Sequence, residues 1–91
     1  MALFVISYDL HKVRIYPPLI TALKAAGAIE ALESFWLANL GQTATEVRDN
    51  VRSWIDPDDS VVVLEIKIGS DWATYLPRPL SVGWLRGYVA P

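Results

Sequence analysis

A hydroxyl, a carboxylate and an imidazole stand two residues apart in Ser7, Asp9 and His11, at the first sharp polar break of the chain. These are the residue types of a nucleophile–base–orienter triad, but neighbours at one strand end rarely meet its geometry. Asp9 is the informative member. It ends the apolar run Leu3-Phe4-Val5-Ile6-Ser7-Tyr8, which reads as a strand. A carboxylate in that place often sits where a sheet opens toward a ligand. The plainer use of such an Asp is to start a turn or cap a helix. His11 reads as an exposed loop residue, because no carboxylate follows it at a zinc-motif spacing.

Two other charged groupings have chemical potential. Asp56, Asp58 and Asp59 invite a calcium reading, but the spacing lacks the Gly and the closing Glu of an EF-hand loop. With Pro57 among them, they read as a helix-ending turn. Arg48 and Arg52 lie four apart and could touch phosphate. With no aromatic interleaved for base stacking, they read as a solvated helix face. The chain has no cysteine, which excludes disulfides, thiolate metal sites and a Cys nucleophile. Its five glycines are scattered, so no phosphate-cradling loop is present.

The elements that must position these groups follow from periodicity. In residues 2–10, Phe4, Ile6, Tyr8 and Leu10 share one face and Leu3, Val5, Ser7 and Asp9 the other. The bulkier first face should meet helices. Pro17 and Pro18 suit a first helical turn. Leu19, Ala22, Leu23 and Ala26 then keep helical spacing to Gly27, giving a helix over Pro17–Ala26. Ile29 to Leu40 reads as two short strands with a bend near Glu33-Ser34. Thr43-Ala44-Thr45-Glu46 is a capping box, and Val47, Val51, Trp54 and Ile55 form the apolar stripe of a second helix. Ser60 to Ile68 is a strand with Val62, Leu64, Ile66 and Ile68 on one face and Val61, Val63, Glu65 and Lys67 on the other. Trp72 to Leu76 reads as a short edge strand stopped by Pro77 and Pro79. Leu80, Trp84, Leu85 and Tyr88 have helical spacing despite Gly83 and Gly87.

The order strand, helix, two strands, helix, strand is that of an α+β ferredoxin-like βαββαβ sandwich over residues 1–91, with a short C-terminal extension. Two helices cover one sheet face. The other face, expected to carry Leu3, Val5, Val61 and Val63, is left open and favours pairing with a second copy. Composition points the same way: 53% of the residues are hydrophobic, with four Trp and four Tyr in 91 residues. Trp36 and Trp54 are expected in the core and Trp84 on a partner subunit. The net charge of −2 argues against tight non-specific binding to nucleic acid. No apolar stretch is long enough to span a bilayer. Met1 leads straight into a strand pattern with no secretory leader, so a cytoplasmic protein is expected.

Across nearly its whole length the chain resembles the Cas-two-like group of small ferredoxin-like proteins, and within it the SinR-like branch. The group also holds the small CRISPR-associated endonuclease of spacer acquisition and the VapD-type ribonucleases. The resemblance rests on Ser7-Tyr8-Asp9-Leu10-His11-Lys12, on Tyr16 with Leu19 and Leu23, and on Gly27. It continues through Leu32, Ser34, Trp36-Leu37, Ile55-Asp56 and Asp58-Asp59 before Val61-Val62-Val63, then Trp72, Leu76-Pro77 and Trp84-Leu85. It implies a homodimer meeting through its sheets, with Asp9 as metal ligand and catalytic residue paired across the dimer axis. Ser7 would support it, and Lys12 and Arg14 would meet phosphate. A Mg²⁺ ion held by such carboxylates could activate water against a phosphodiester, making a weak metal-dependent ribonuclease. The acidic balance and the short basic stretch Lys12-Val13-Arg14 support the other expectation, a non-catalytic interaction or regulatory module such as a toxin–antitoxin subunit.

Overall fold

A computed structural model describes residues 1–11 and 16–90. In chain order the elements are β1 (Ala2–Asp9), α1 (Pro17–Ala25), β2 (Ile29–Leu32), β3 (Phe35–Leu40), α2 (Ala44–Arg52), β4 (Ser60–Ile66) and α3 (Ser81–Tyr88). The four strands form one antiparallel sheet in the order β2-β3-β1-β4. This small α+β architecture is compatible with the expected ferredoxin-like arrangement.

Strand β1 is central, with β3 on one side and β4 on the other. Its alternation sends Phe4, Ile6 and Tyr8 into one apolar cluster with Leu19 and Leu23 of α1, Val47 and Val51 of α2, and Trp36 and Ala38 of β3. The bulkier face of the strand therefore meets the helices, as its side-chain sizes predict. Helix α1 starts on its two prolines, which cost no hydrogen bond at N1 and N2. Just beyond it Gly27 takes φ +82°, a conformation that a side chain disfavours. Helix α2 carries the capping box in full: the Glu46 amide donates to Thr43 Oγ1 at 3.2 Å and the Thr43 amide to Glu46 Oε1 at 2.9 Å. Trp54 and Ile55 lie past its end but still pack on the same cluster. Strands β2 and β3 join at Glu33-Ser34, with Ser34 at φ +60°.

The second sheet face departs from expectation in three ways. First, Ile6 stands opposite Val63 and Tyr8 opposite Val61. Val61 and Val63 therefore pack on the helical side, and Val62 and Leu64 point to the other face. The run Val61-Val62-Val63-Leu64 is apolar at both parities, so only pairing with β1 decides its faces. Second, that face is open only in part. Helix α3 packs on it, and Trp84, Leu85 and Val89 form a second cluster with Leu3, Leu37 and Ala31. Trp84 is thus buried within its own chain rather than held out for a partner. Burying Trp84 and Leu85 stabilises by roughly 1.5–3 kcal/mol each. That outweighs the cost of about 1 kcal/mol for each of Gly83 and Gly87. Third, Trp72 to Leu76 is not a strand. It is irregular, with Leu76 at φ +52°, a left-handed value that no strand contains.

The segment from Gly69 to Val89 is a closed excursion. Its start and end meet where the Gly69 amide donates to the Val89 carbonyl at 2.6 Å. Midway it touches the β2 edge, where the Arg78 amide donates to the Ala31 carbonyl at 3.0 Å and the Arg78 guanidinium pairs with Glu30.

Tyr8 and Trp36 make a buried polar contact inside the helical cluster, with Trp36 Nε1 donating to Tyr8 Oη at 3.0 Å. Tyr8→Phe removes the acceptor and leaves a buried indole N–H unpaired. Urea unfolding should show a loss of about 1–3 kcal/mol. Tyr75→Phe, at an exposed position, should change stability by less than about 0.5 kcal/mol.

Candidate functional site at the open end of the sheet

The C-terminal end of β1, the N-terminal end of β4 and the β2–β3 turn meet at one end of the molecule. Asp9 pairs with Ser60 as the last rung of the β1–β4 ladder, and its side chain is exposed. The Tyr8 amide donates to the Ser34 carbonyl at 3.2 Å, which ties β1 to the β2–β3 turn. Tyr8, Asp9, Leu10, Glu33 and Ser34 line a shallow polar depression of about 310 Å³. Beneath it the Tyr8 hydroxyl is held above the ordinary tyrosine range. Burial is the main cause, and the Glu30 carboxylate adds to it against the opposing hydrogen bond from Trp36. Tyr8 is therefore a neutral structural group here rather than a base.

Ser7 lies two residues before Asp9 on the same face, flanked across the ladder by Phe35 and Val62. Helix α3 covers Leu3, Leu37 and Ala31 of this face, while Val62 and Leu64 each remain 56% exposed. The strip leading along β4 toward Asp9 is thus the uncovered part of the sheet. The structure brings Ser7 and Asp9 together along this strip. Lys12 and Arg14 lie outside the described residues.

A second grouping forms beside the first. The backbone amide of His11 donates to Asp59 Oδ1 at 3.0 Å, and His11 Nδ1 lies 2.5 Å from the same oxygen. Asp59 Oδ2 accepts from the Asp56 amide at 3.0 Å, and the Asp58 amide donates to Asp56 Oδ1 at 3.0 Å. The turn after α2 is therefore an acidic loop clasped to the end of β1. Its helix-ending reading holds, but His11 is more than a loop residue without partners. The two sides are 48 positions apart in sequence, so no local spacing signals the contact. Ligand atoms of His11, Asp56 and Asp58 lie within 4.8 Å of one another, a spacing that a divalent ion could use. Asp9 is not part of that group. Asp59, only 5% exposed, is used up as an acceptor. Its carboxyl is held below the ordinary value of 3.8, first by the His11 amide, then by the His11 ring and the Asp56 amide.

Five of the ten acidic residues, Asp9, Glu33, Asp56, Asp58 and Asp59, gather at this end. The region attracts cations, and by itself it repels a phosphate backbone. Arg48 lies on the exposed face of α2, where it pairs with Asp49 at 2.9 Å, and Arg52, also exposed, borders a depression with Asp56 and Asp59 of the acidic loop. Both arginines form the solvated face that their spacing predicts. No helix among the described residues is long and apolar enough to cross a membrane. Comparison with known protein families finds no family model that matches the chain.

The Asp59 clasp sets a pH dependence. A carboxyl whose folded value is lowered adds stability above its unfolded value, and that contribution is lost as pH falls through the folded value. Asp59→Asn should therefore melt below the unmodified protein at pH 7. The gap should shrink as the pH is lowered from about 5 through the region below 3.8. Thermal melts of the two proteins across that range check it.

Proposed function

We propose that this chain is a ferredoxin-like, Cas-two-like module that acts as a homodimer in nucleic-acid metabolism or defence, with weak metal-dependent cleavage of RNA. One observation carries the reading. Asp9 stands exposed at the end of a strip of sheet that α3 leaves uncovered, beside Ser7 and the exposed Val62 and Leu64. An apolar strip ending in a carboxylate is what a second copy would cover while bringing two such carboxylates together. A standard interface needs about 800 Å² from each partner, a modest share of the 5856 Å² that one chain exposes.

The donor set at Asp9 suits Mg²⁺ better than a softer or more closely caged ion. Mg²⁺ keeps several waters and takes one or two carboxylates from the protein, and Asp9 offers one carboxylate open to solvent. A bound Mg²⁺ would supply charge neutralisation at a phosphodiester and a more acidic water. Asp9 would hold the ion, Ser7 would orient the Asp9 end of the strand, and Lys12 and Arg14 would take the phosphate. Among the described residues Asp9 belongs to no group of three or more candidate metal ligands, so the proposed activity relies on the second copy for a further carboxylate.

The acidic crowding at this end favours a second reading, a non-catalytic interaction or regulatory module, such as a toxin–antitoxin subunit, that presents the same surface to a protein partner. In either role the protein would work in the cytoplasm.

The two readings part in one set of measurements. Light scattering should give the mass of a dimer, and labelled RNA should be cut with Mn²⁺ or Mg²⁺ but not with EDTA. Asp9→Ala, at an exposed position, should fold within about 0.5 kcal/mol of the parent and lose cleavage by about 100-fold or more. Val62→Glu with Leu64→Glu should yield a monomer that also cuts nothing. A stable dimer without cleavage under any divalent ion defeats the ribonuclease and leaves the interaction module. A monomer that cuts as well as the parent defeats the shared-carboxylate arrangement.

A further inference from the structure

A strongly apolar cavity lies beside helix α3. It measures about 350 Å³ and lies between the sheet face that α3 packs on, helix α3 and the 70–77 segment. Val5 and Phe35 of the sheet, Leu85 of α3, and Trp72 and Tyr75 of the 70–77 segment line it. Its size falls in the range of small-molecule sites, and its lining has their character, apolar and aromatic with a few polar groups.

The frame around the cavity is fixed. The excursion that forms its outer wall is tied at the Gly69–Val89 hydrogen bond and at the Arg78 contacts with Ala31 and Glu30. Ser81, fully buried in the wall, donates from its hydroxyl to the Arg78 carbonyl at 2.7 Å. Leu76 and Leu80 hold left-handed conformations at φ +52° and +76°. Leucine adopts such values only where the surroundings enforce them, and strain of this kind clusters at ligand clamps. The loop therefore keeps its shape around a space that the chain's own side chains leave unfilled.

The lining also indicates the sign of the ligand's charge. Asp71 is the one charged residue among the described residues that line the cavity. Among the described residues no ion pair or hydrogen bond engages its carboxylate. Three aromatic residues, Phe35, Trp72 and the largely exposed Tyr75, line the same space, and aromatic faces attract cations. Arg86 shares a neighbouring depression with Asp71 and Trp72 but does not line this cavity.

We infer that this cavity is a binding site for a small arene bearing an ammonium group, its ring held among Val5, Phe35, Trp72 and Leu85 and its cation at Asp71. The site is lined by one chain and does not include Asp9.

Titration of the full chain with 2-phenylethylammonium, followed by two-dimensional NMR, tests it. Saturable shifts should appear at the Trp72 indole N–H (assigned with Trp72→Phe), at Val5 and at Leu85. For a ligand this small the dissociation constant should be on the order of 0.1–1 mM. The matched anion, 3-phenylpropionate, should bind at least about tenfold more weakly, and Asp71→Asn should erase that difference. Ala73→Trp, at an exposed lining position, should block binding without lowering the melting temperature, and Val5→Phe should block it from the sheet side. The assignment is overturned if neither probe saturates by about 10 mM. It is also overturned if the anion binds as tightly as the cation, or if both blocking variants bind like the parent. Binding that disappears in monomeric Val62→Glu, Leu64→Glu protein would overturn it too, since the space would then be made by the interface.

Discussion

The structure depends on strand β1 being buried from both sides. Phe4 and Ile6 are fully covered by the helical cluster, and Leu3, on the opposite face, is covered by α3. A strand with apolar groups on both faces belongs in the middle of a sheet, and here β3 and β4 flank it. A slip of one residue would move Tyr8 away from Trp36 and put Ser7 into the helical core. The register is therefore fixed by packing, and the position of Asp9 follows from it. The carboxylate is the first side chain after Tyr8, on the face it shares with Leu3, Val5 and Ser7, at the end of the strand beyond the α3 cluster. Its exposure is a consequence of where the central strand stops.

The C-terminal excursion adds a second layer on terms different from those of α1 and α2. Those helices have well-formed starts, with prolines in one and a capping box in the other. Helix α3 starts at a left-handed Leu80 and contains two glycines. Its stability comes from burial rather than propensity. Two strained leucines at about 1–3 kcal/mol each are comparable to the gain from Trp84 and Leu85. The hydrogen bonds at Gly69 and Arg78 are needed to hold the balance. An element held in this way covers only what its few large side chains can reach, which is why Val62 and Leu64 stay exposed.

The parts legible in the sequence were those set by local chemistry. The alternation of residues 2–10, the Pro17-Pro18 start, Gly27, the Thr43–Glu46 box and the bend at Glu33-Ser34 each follow from neighbours in the chain. What escaped was decided by distant contacts. The faces of β4 could not be read because Val61 to Leu64 is apolar at both parities, and only pairing with Ile6 and Tyr8 settles them. Trp72 to Leu76 has strand-favouring residues, but the chain must turn there to reach the β2 edge at Arg78. The His11–Asp59 clasp joins two loops that share no motif. At the candidate site, Asp9 and Ser7 were legible as the end of a strand, whereas the acidic loop beside them was legible only as a turn.

The His11–Asp59 clasp also bears on how Asp9 can act. With the ring and amide of His11 turned to Asp59, the nearest described nitrogen base is engaged as a structural partner, and the Ser7, Asp9, His11 series does not act as a triad. Carboxylates outnumber the described cations at this end, where Arg52 borders the acidic loop. A polyanion can approach it only if a divalent ion or the neighbouring basic stretch offsets that charge, whereas a protein partner with a basic surface needs neither. The same carboxylates thus set a condition that differs between the two readings. RNA contact at Asp9 must strengthen with divalent ions, and protein contact there must weaken as salt screens it.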